Sequence, residues 1–236
     1  MSTFNKKYYS YNFGLSADFS DKQLAKLVDL FNQRPGSAGT VLGGRGSICI
    51  TEVEGIGSIA VKHYFRGGII RFFNKQRYLK FGKTRGQIEY EIIQKVRDIG
   101  VAAPEPLAFV FKGFPFYRAW LVTRKLNIHQ SLADLSISDV KHACMVMKNV
   151  IEQLSLLIKN RILHVDLHPG NVVIDTSDKS HLVDFDKARI YHGSEQKLIN
   201  RYISRWKRAV VKHNLPDILL EMMESELNIY ISNKNQ

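Results

Sequence analysis

Cysteine is scarce: Cys49 and Cys144 are the only two in 236 residues, and neither sits in a C-x-x-C pair. That excludes a disulfide framework and a cysteine-rich zinc site, and it fits a reducing compartment. Long apolar runs are missing too, since none approaches the ~18 residues that cross a bilayer. The opening MSTFNKKYYSYNFG lacks the apolar core of a secretion signal. The expectation is a soluble protein, or one at most peripheral to a membrane. Low-complexity tracts and repeats of roughly 20–50 residues are absent, which argues against solenoids and propellers. Negative charge is the last shortage, with 22 Asp and Glu against 34 Lys and Arg, a net charge of +12. Such an excess attracts nucleic acid, an anionic membrane or phosphorylated substrates.

What is present suffices for a sizeable core, as one domain or two small lobes, at 44% hydrophobic residues. Residues 20–33 combine a capping serine with apolar residues at helical spacing, and RPGSAGTVLGGRGS then breaks the helix. Strand-like segments follow at 47–53, 57–64, 107–111 and 116–123. Between the pairs, residues 85–100 read as a helix closed by Gly100. After Arg124 the character changes: one long helix over 138–161, a polar loop HVDLHPGN, short strands at 172–174 and 182–183, then helical sequence to the end. The predicted class is α+β, with an antiparallel β-rich lobe at 1–124 carrying one main helix, a helical lobe at 125–236, and a cleft between them.

Four features bear chemistry, in chain order. Gly43, Gly44, Arg45, Gly46 and Ser47 open a strand, where glycines allow close backbone approach to a phosphate. Alone, this run fits a hairpin as readily. Lys62, in the apolar run IAVKHY, is either an outward lysine on an edge strand or a cation reaching nucleotide phosphates. Glu89, in the helix that follows, could brace it, and Glu91 is a rival on another side of that helix. Asp166 is followed five residues later by Asn171 and 18 residues later by Asp184 in LVDFDKAR. Phosphoryl transfer needs a carboxylate to orient the acceptor hydroxyl, and oxygen donors for hard Mg²⁺ ions. A lone D-x-x-x-x-N carries little weight; its occurrence after a glycine run, Lys62 and Glu89 gives it meaning. His164 reads as a structural member of the loop, and Cys144 as a buried, inert thiol.

These residues resemble the protein-kinase-like superfamily, HVDLHPGN standing as its catalytic loop and DFD where protein kinases have D-F-G. More closely, the chain is similar to the bacterial lipopolysaccharide-core sugar kinases, those acting on 3-deoxy-D-manno-octulosonic acid (Kdo) above all. AVKHYFRGG, RYLKFGKTR, EYEIIQKVRDIGVAAPEPLA, FYRAWLVTRKL and SLADL carry that likeness beside the loops, from about Gly43 to about Lys212. The resemblance implies an ATP- and Mg²⁺-dependent kinase that phosphorylates the Kdo sugar of a lipid A precursor at the cytoplasmic face of the inner membrane. By it, Gly43–Ser47 would cover the phosphates, Lys62 grip them and Glu89 brace Lys62. Asp166 would be the base, and Asn171 and Asp184 the magnesium ligands. Three departures stand out. The glycine run is shorter than G-x-G-x-x-G. His168 occupies the place where many protein kinases carry a lysine that neutralises the γ-phosphate. Asp186 replaces the D-F-G glycine.

The acceptor is read from an omission. No A-P-E follows DFDKARIYHGSEQ, so a peptide-docking platform is missing and a non-protein acceptor is expected. Residues 66–85, RGGIIRFFNKQRYLKFGKTR, hold Arg66, Arg71, Lys75 and Arg77 among seven cations without an acid, interleaved with aromatics. A solvated loop is the commoner meaning of such a run. Here, with His168, it marks candidate contacts to an anionic acceptor or membrane surface. Nucleic acid is not an expected partner, and no obligate protein partner is implied. The alternatives are a heptose kinase, an aminoglycoside-type small-molecule kinase, or an inactive kinase-like binding protein.

Overall fold

The computed structural model describes residues 3–32, 47–64, 78–79 and 82–234. Internal contacts divide the chain into two compact units, Met1–Gln94 with Glu105–Lys125, and Lys95–Pro104 with Leu126–Gln236. Among the described residues the architecture is α+β, with an antiparallel sheet in the N-terminal region and six α-helices.

The first unit is built on β1 (Phe4–Tyr8), β2 (Tyr11–Leu15), β3 (Ser47–Val53), β4 (Gly57–His63), β5 (Tyr78–Leu79), β6 (Pro106–Lys112) and β7 (Phe116–Arg124). These form one antiparallel sheet in the order β1-β2-β6-β7-β4-β3, with β5 paired to β7. Helix α1 (Asp21–Asn32) presents Leu24, Leu27 and Phe31 at helical spacing to one face. There Tyr11, Phe13, Ile59, Val61, Val110, Trp120 and Val122 make the core. Strand residues alternate between faces. Lys62, between the buried Val61 and the stacked His63–Trp120 pair, therefore leaves the sheet on the other side, toward helix α2 (Arg85–Asp98). On that face Tyr90 packs edge-on against Phe109.

The β1–β2 hairpin has no counterpart in the sequence reading, which left the first forty residues without a strand. Its signal is hidden by Gly14, a poor strand residue. A Cβ there would lie 2.1 Å from the Phe109 ring, so packing dictates the glycine where propensity opposes it.

The second unit begins with β8 (Ile128–Ser131), α3 (Leu132–Ser138) and α4 (Val140–Lys159). The single helix expected over 138–161 is preceded by the separate α3. Asp139 ends α3 and caps α4, its carboxylate accepting the N–H of His142 at 3.0 Å. Cys144 is half-buried, not buried as expected, because it sits on α4 between buried Ala143 and exposed Met145. Strands β9 (Ile162–Leu163), β10 (Val172–Asp175), β11 (Ser180–Leu182) and β12 (Arg189–Ile190) follow, then α5 (Glu195–Lys212) and α6 (Ile218–Lys234). Buried Trp206 joins the last two helices, its indole N–H donating to Leu219 O at 3.1 Å.

Candidate active site

In the first unit the alternation of β4 delivers Lys62 to α2. Its Nζ lies 3.0 and 3.1 Å from the two carboxylate oxygens of Glu89, which also accepts the Tyr64 hydroxyl. The Glu89 side chain is 2% exposed and that of Lys62 20%. A carboxylate removed from water is costly unless charge and hydrogen bonds compensate it, so this arrangement fixes the lysine tightly. Glu91 is turned elsewhere, pairing with Lys83 at 2.6 Å. Ser47 opens β3, while Gly43, Gly44, Arg45 and Gly46 lie outside the described residues, as do Arg66, Arg71, Lys75 and Arg77.

In the second unit two short ladders hold two loops side by side. The loop at 164–171 runs from β9 to β10, and the loop at 183–188 from β11 to β12. β9 pairs with β12, and β10 with β11, so both ends of both loops are fixed relative to each other. Register puts Val172 opposite Leu182, and the Val183 N–H donates to Asn171 O at 3.0 Å. Asn171 and Asp184 thus emerge from adjacent strand ends. The Asn171 side-chain amide donates to Asp166 O at 2.9 Å, which ties the two ends of the first loop together. His164, fully buried beneath the loops, bonds Val183 O through Nε2 at 3.0 Å and packs on the Phe185 ring. Burial holds its pKa below the ordinary histidine value. Asp184 is exposed and adopts φ +62°, a left-handed conformation that Asp tolerates better than most residues.

Two functional contacts were invisible in the sequence. Arg205 on α5 grips Asp166, with Nε 2.8 Å and one terminal nitrogen 2.7 Å from Oδ1. Buried Tyr202, one turn earlier, donates to Ile162 O and accepts the His164 N–H, clamping α5 to the base of the loop. Nothing local marks either residue, because each partner lies about forty positions away. The only usable signal was the excess of arginine and lysine on the α5 surface.

His168 accepts the Gly170 N–H on Nδ1 at 3.1 Å, in a turn so close that a Cβ at Gly170 would meet the ring at 3.0 Å. Burial, and then the charge of Arg205, push its pKa down to about 4. His168 is therefore neutral at physiological pH, and the cation beside Asp166 is Arg205. The His168 Cε1–H resonance should titrate near pH 4; a midpoint near 6.5 would contradict this environment. An unfolded chain takes up that proton near pH 6.5. This contribution to stability is thus complete above pH 6.5 and is lost as pH falls toward 4.

The donors at the ends of the two loops suit magnesium. Asn171 spends its amide N–H on Asp166 O and keeps its amide oxygen, and Asp184 adds a carboxylate from the neighbouring strand end. Magnesium commonly takes one or two protein oxygens and completes its shell with water and phosphate. Among the described residues no three His, Cys, Asp or Glu gather into a metal-binding group.

The model of the lipopolysaccharide kinase (Kdo/WaaP) family matches residues 32–224. The chain belongs to this family. As a lipopolysaccharide kinase it is a phosphotransferase. It is 27% identical over 173 residues to a Xylella fastidiosa (strain M12) protein named 3-deoxy-D-manno-octulosonic acid kinase, covering 72% of this chain and 68% of that one. A Vibrio cholerae serotype O1 protein of the same name is 29% identical over 181 residues, 74% of this chain and 75% of the relative. A third, from Vibrio vulnificus (strain YJ016), is 27% identical over 175 residues, with 73% and 72% covered.

Proposed function

We propose that this lipopolysaccharide kinase transfers the γ-phosphate of ATP to a hydroxyl of the Kdo sugar on a lipid A precursor, in lipopolysaccharide core synthesis. The observation that carries the chemistry is the catalytic loop, in which Asp166 is held by Arg205 while Asn171 and Asp184 stand at adjacent strand ends. The relatives that bear the Kdo kinase name support the choice of acceptor.

In this reading Asp166 orients the acceptor hydroxyl and receives its proton. The new O–P bond then forms as the bond between the γ-phosphorus and the bridging oxygen breaks, and ADP departs. Lys62, braced by Glu89, holds phosphate oxygens of the nucleotide. Asn171 and Asp184 would hold magnesium, which when bound neutralises charge on the phosphates. The side chain of Arg205 keeps Asp166 aimed and adds a cation that the neutral His168 cannot supply. No helix among the described residues is long and apolar enough to cross a membrane. A lipid-linked acceptor and the basic, aromatic segment 66–85 support peripheral action at the cytoplasmic face of the inner membrane.

The test is transfer of labelled γ-phosphate from Mg-ATP to a Kdo-bearing lipid A precursor, beside the same lipid without Kdo and a heptose-bearing acceptor. Label should enter only acceptors that offer Kdo. Labelling that requires heptose, or none at all while ATP still binds, would overturn the assignment.

A further inference from the structure

Helix α5 carries six cations, Lys197, Arg201, Arg205, Lys207, Arg208 and Lys212, against a single acid, Glu195. Their spacing is not random. At about 100° per residue, five of them, all but Lys207, fall within an arc of roughly 80°. The apolar residues Leu198, Tyr202, Trp206 and Ala209 occupy a separate, buried arc. Four cations of the stripe are exposed, and Arg205, which lies where the stripe meets the buried arc, is half-buried. Among the described residues none of the four exposed cations is paired with a carboxylate.

The stripe is anchored at the catalytic loop. Tyr202 fixes the register of α5 against Ile162 and His164, and Arg205 reaches Asp166 directly. At about 1.5 Å per residue the stripe extends ~12 Å from Arg205 to Lys197 and ~10 Å the other way to Lys212. One sugar is shorter than that, whereas an acceptor with several separated anions can follow it. Arginine forks match carboxylate and phosphate oxygens in pairs, which gives both affinity and orientation. Within the stripe, Arg201 lies over the Tyr191 ring at 5.4 Å.

We propose that the basic face of α5, formed by Lys197, Arg201, Arg205, Arg208 and Lys212, binds the carboxylate and phosphate groups of the acceptor and presents its hydroxyl to Asp166. The proposal rests on the kinase reading above. A docking site for the bilayer's own anionic headgroups is the competing use of such a stripe. The acceptor is favoured because one member of the stripe touches the residue that receives the acceptor's proton.

The test uses the full chain with Arg201→Gln and Arg208→Gln combined, both exposed and neither in contact with Asp166. With Kdo-bearing lipid A precursor dispersed in neutral detergent, the KM for acceptor should rise about 10-fold. The kcat at saturating acceptor and the KM for ATP should stay within about twofold, and Lys at both positions should restore part of the loss. The acceptor KM of the wild type should also climb more steeply with salt than that of the variant. An unchanged acceptor KM would overturn the proposal. So would a rise confined to the KM for ATP, or weaker binding to phosphatidylglycerol vesicles with unaltered kinetics in detergent. Transfer by the wild type with no difference in the variant removes only the stripe. Absence of transfer by the wild type removes the acceptor assignment, and the stripe's role with it.

Discussion

Asp166→Asn is expected to lower kcat by roughly 10²–10⁴-fold, the range over which a positioned proton acceptor contributes. The substitution keeps size and leaves an oxygen where the carboxylate now accepts the Arg205 Nε–H at 2.8 Å, with a terminal guanidinium nitrogen 2.7 Å away. It also spares the backbone of the loop, because Asn171 bonds the main-chain oxygen of Asp166 and not its side chain. What is lost is basicity at the acceptor hydroxyl and one negative charge. Single-turnover phosphoryl transfer, with ATP binding followed by calorimetry, separates the two steps. ATP affinity should change by less than about threefold, since the role proposed for the residue is on the acceptor. If kcat fell by less than tenfold, Asp166 would be an orienting residue only, and proton removal would belong to solvent.

The order Lys62, Glu89, Asp166, Asn171, Asp184 was legible in the sequence because each lies in a short motif whose neighbours dictate local structure. Alternation in IAVKHY puts Lys62 opposite Val61, and the helix stop at Gly100 sets the frame for Glu89. Sequence alone left Glu91 as a rival; the helix direction at Glu89 decides the pairing. Other features were not legible, for physical reasons. Gly14 masks β2 since its lack of a side chain serves the Phe109 ring, a contact nearly a hundred residues away. Arg205 is one of six cations on α5, and only the clamp at Tyr202 determines which of them meets Asp166. The departure at His168 was visible as a missing lysine, whereas the cation that contacts Asp166, Arg205, belongs to another element.

Lys62→Met should cost both activity and stability, and the two losses can be separated. Transfer activity is expected to drop roughly 10²–10³-fold, as when one preorganised charged contact to a reacting phosphate is removed. Stability should fall by about 3 kcal/mol, the lower end for removing one partner of a buried pair, because Lys62 retains some solvent contact. The cost arises at Glu89, whose carboxylate is 2% exposed and loses the ammonium 3.0 Å away. Adding Glu89→Gln removes that charge and keeps an amide oxygen for the Tyr64 hydroxyl. Urea unfolding of the double variant should therefore recover to within about 1 kcal/mol of the wild type, since replacing both charges of a buried pair is often near neutral. Its activity should stay as low as that of Lys62→Met. Recovery of activity along with stability would show that the pair only supports the sheet against α2. Activity that stays lost in a restored fold assigns Lys62 to the nucleotide phosphates.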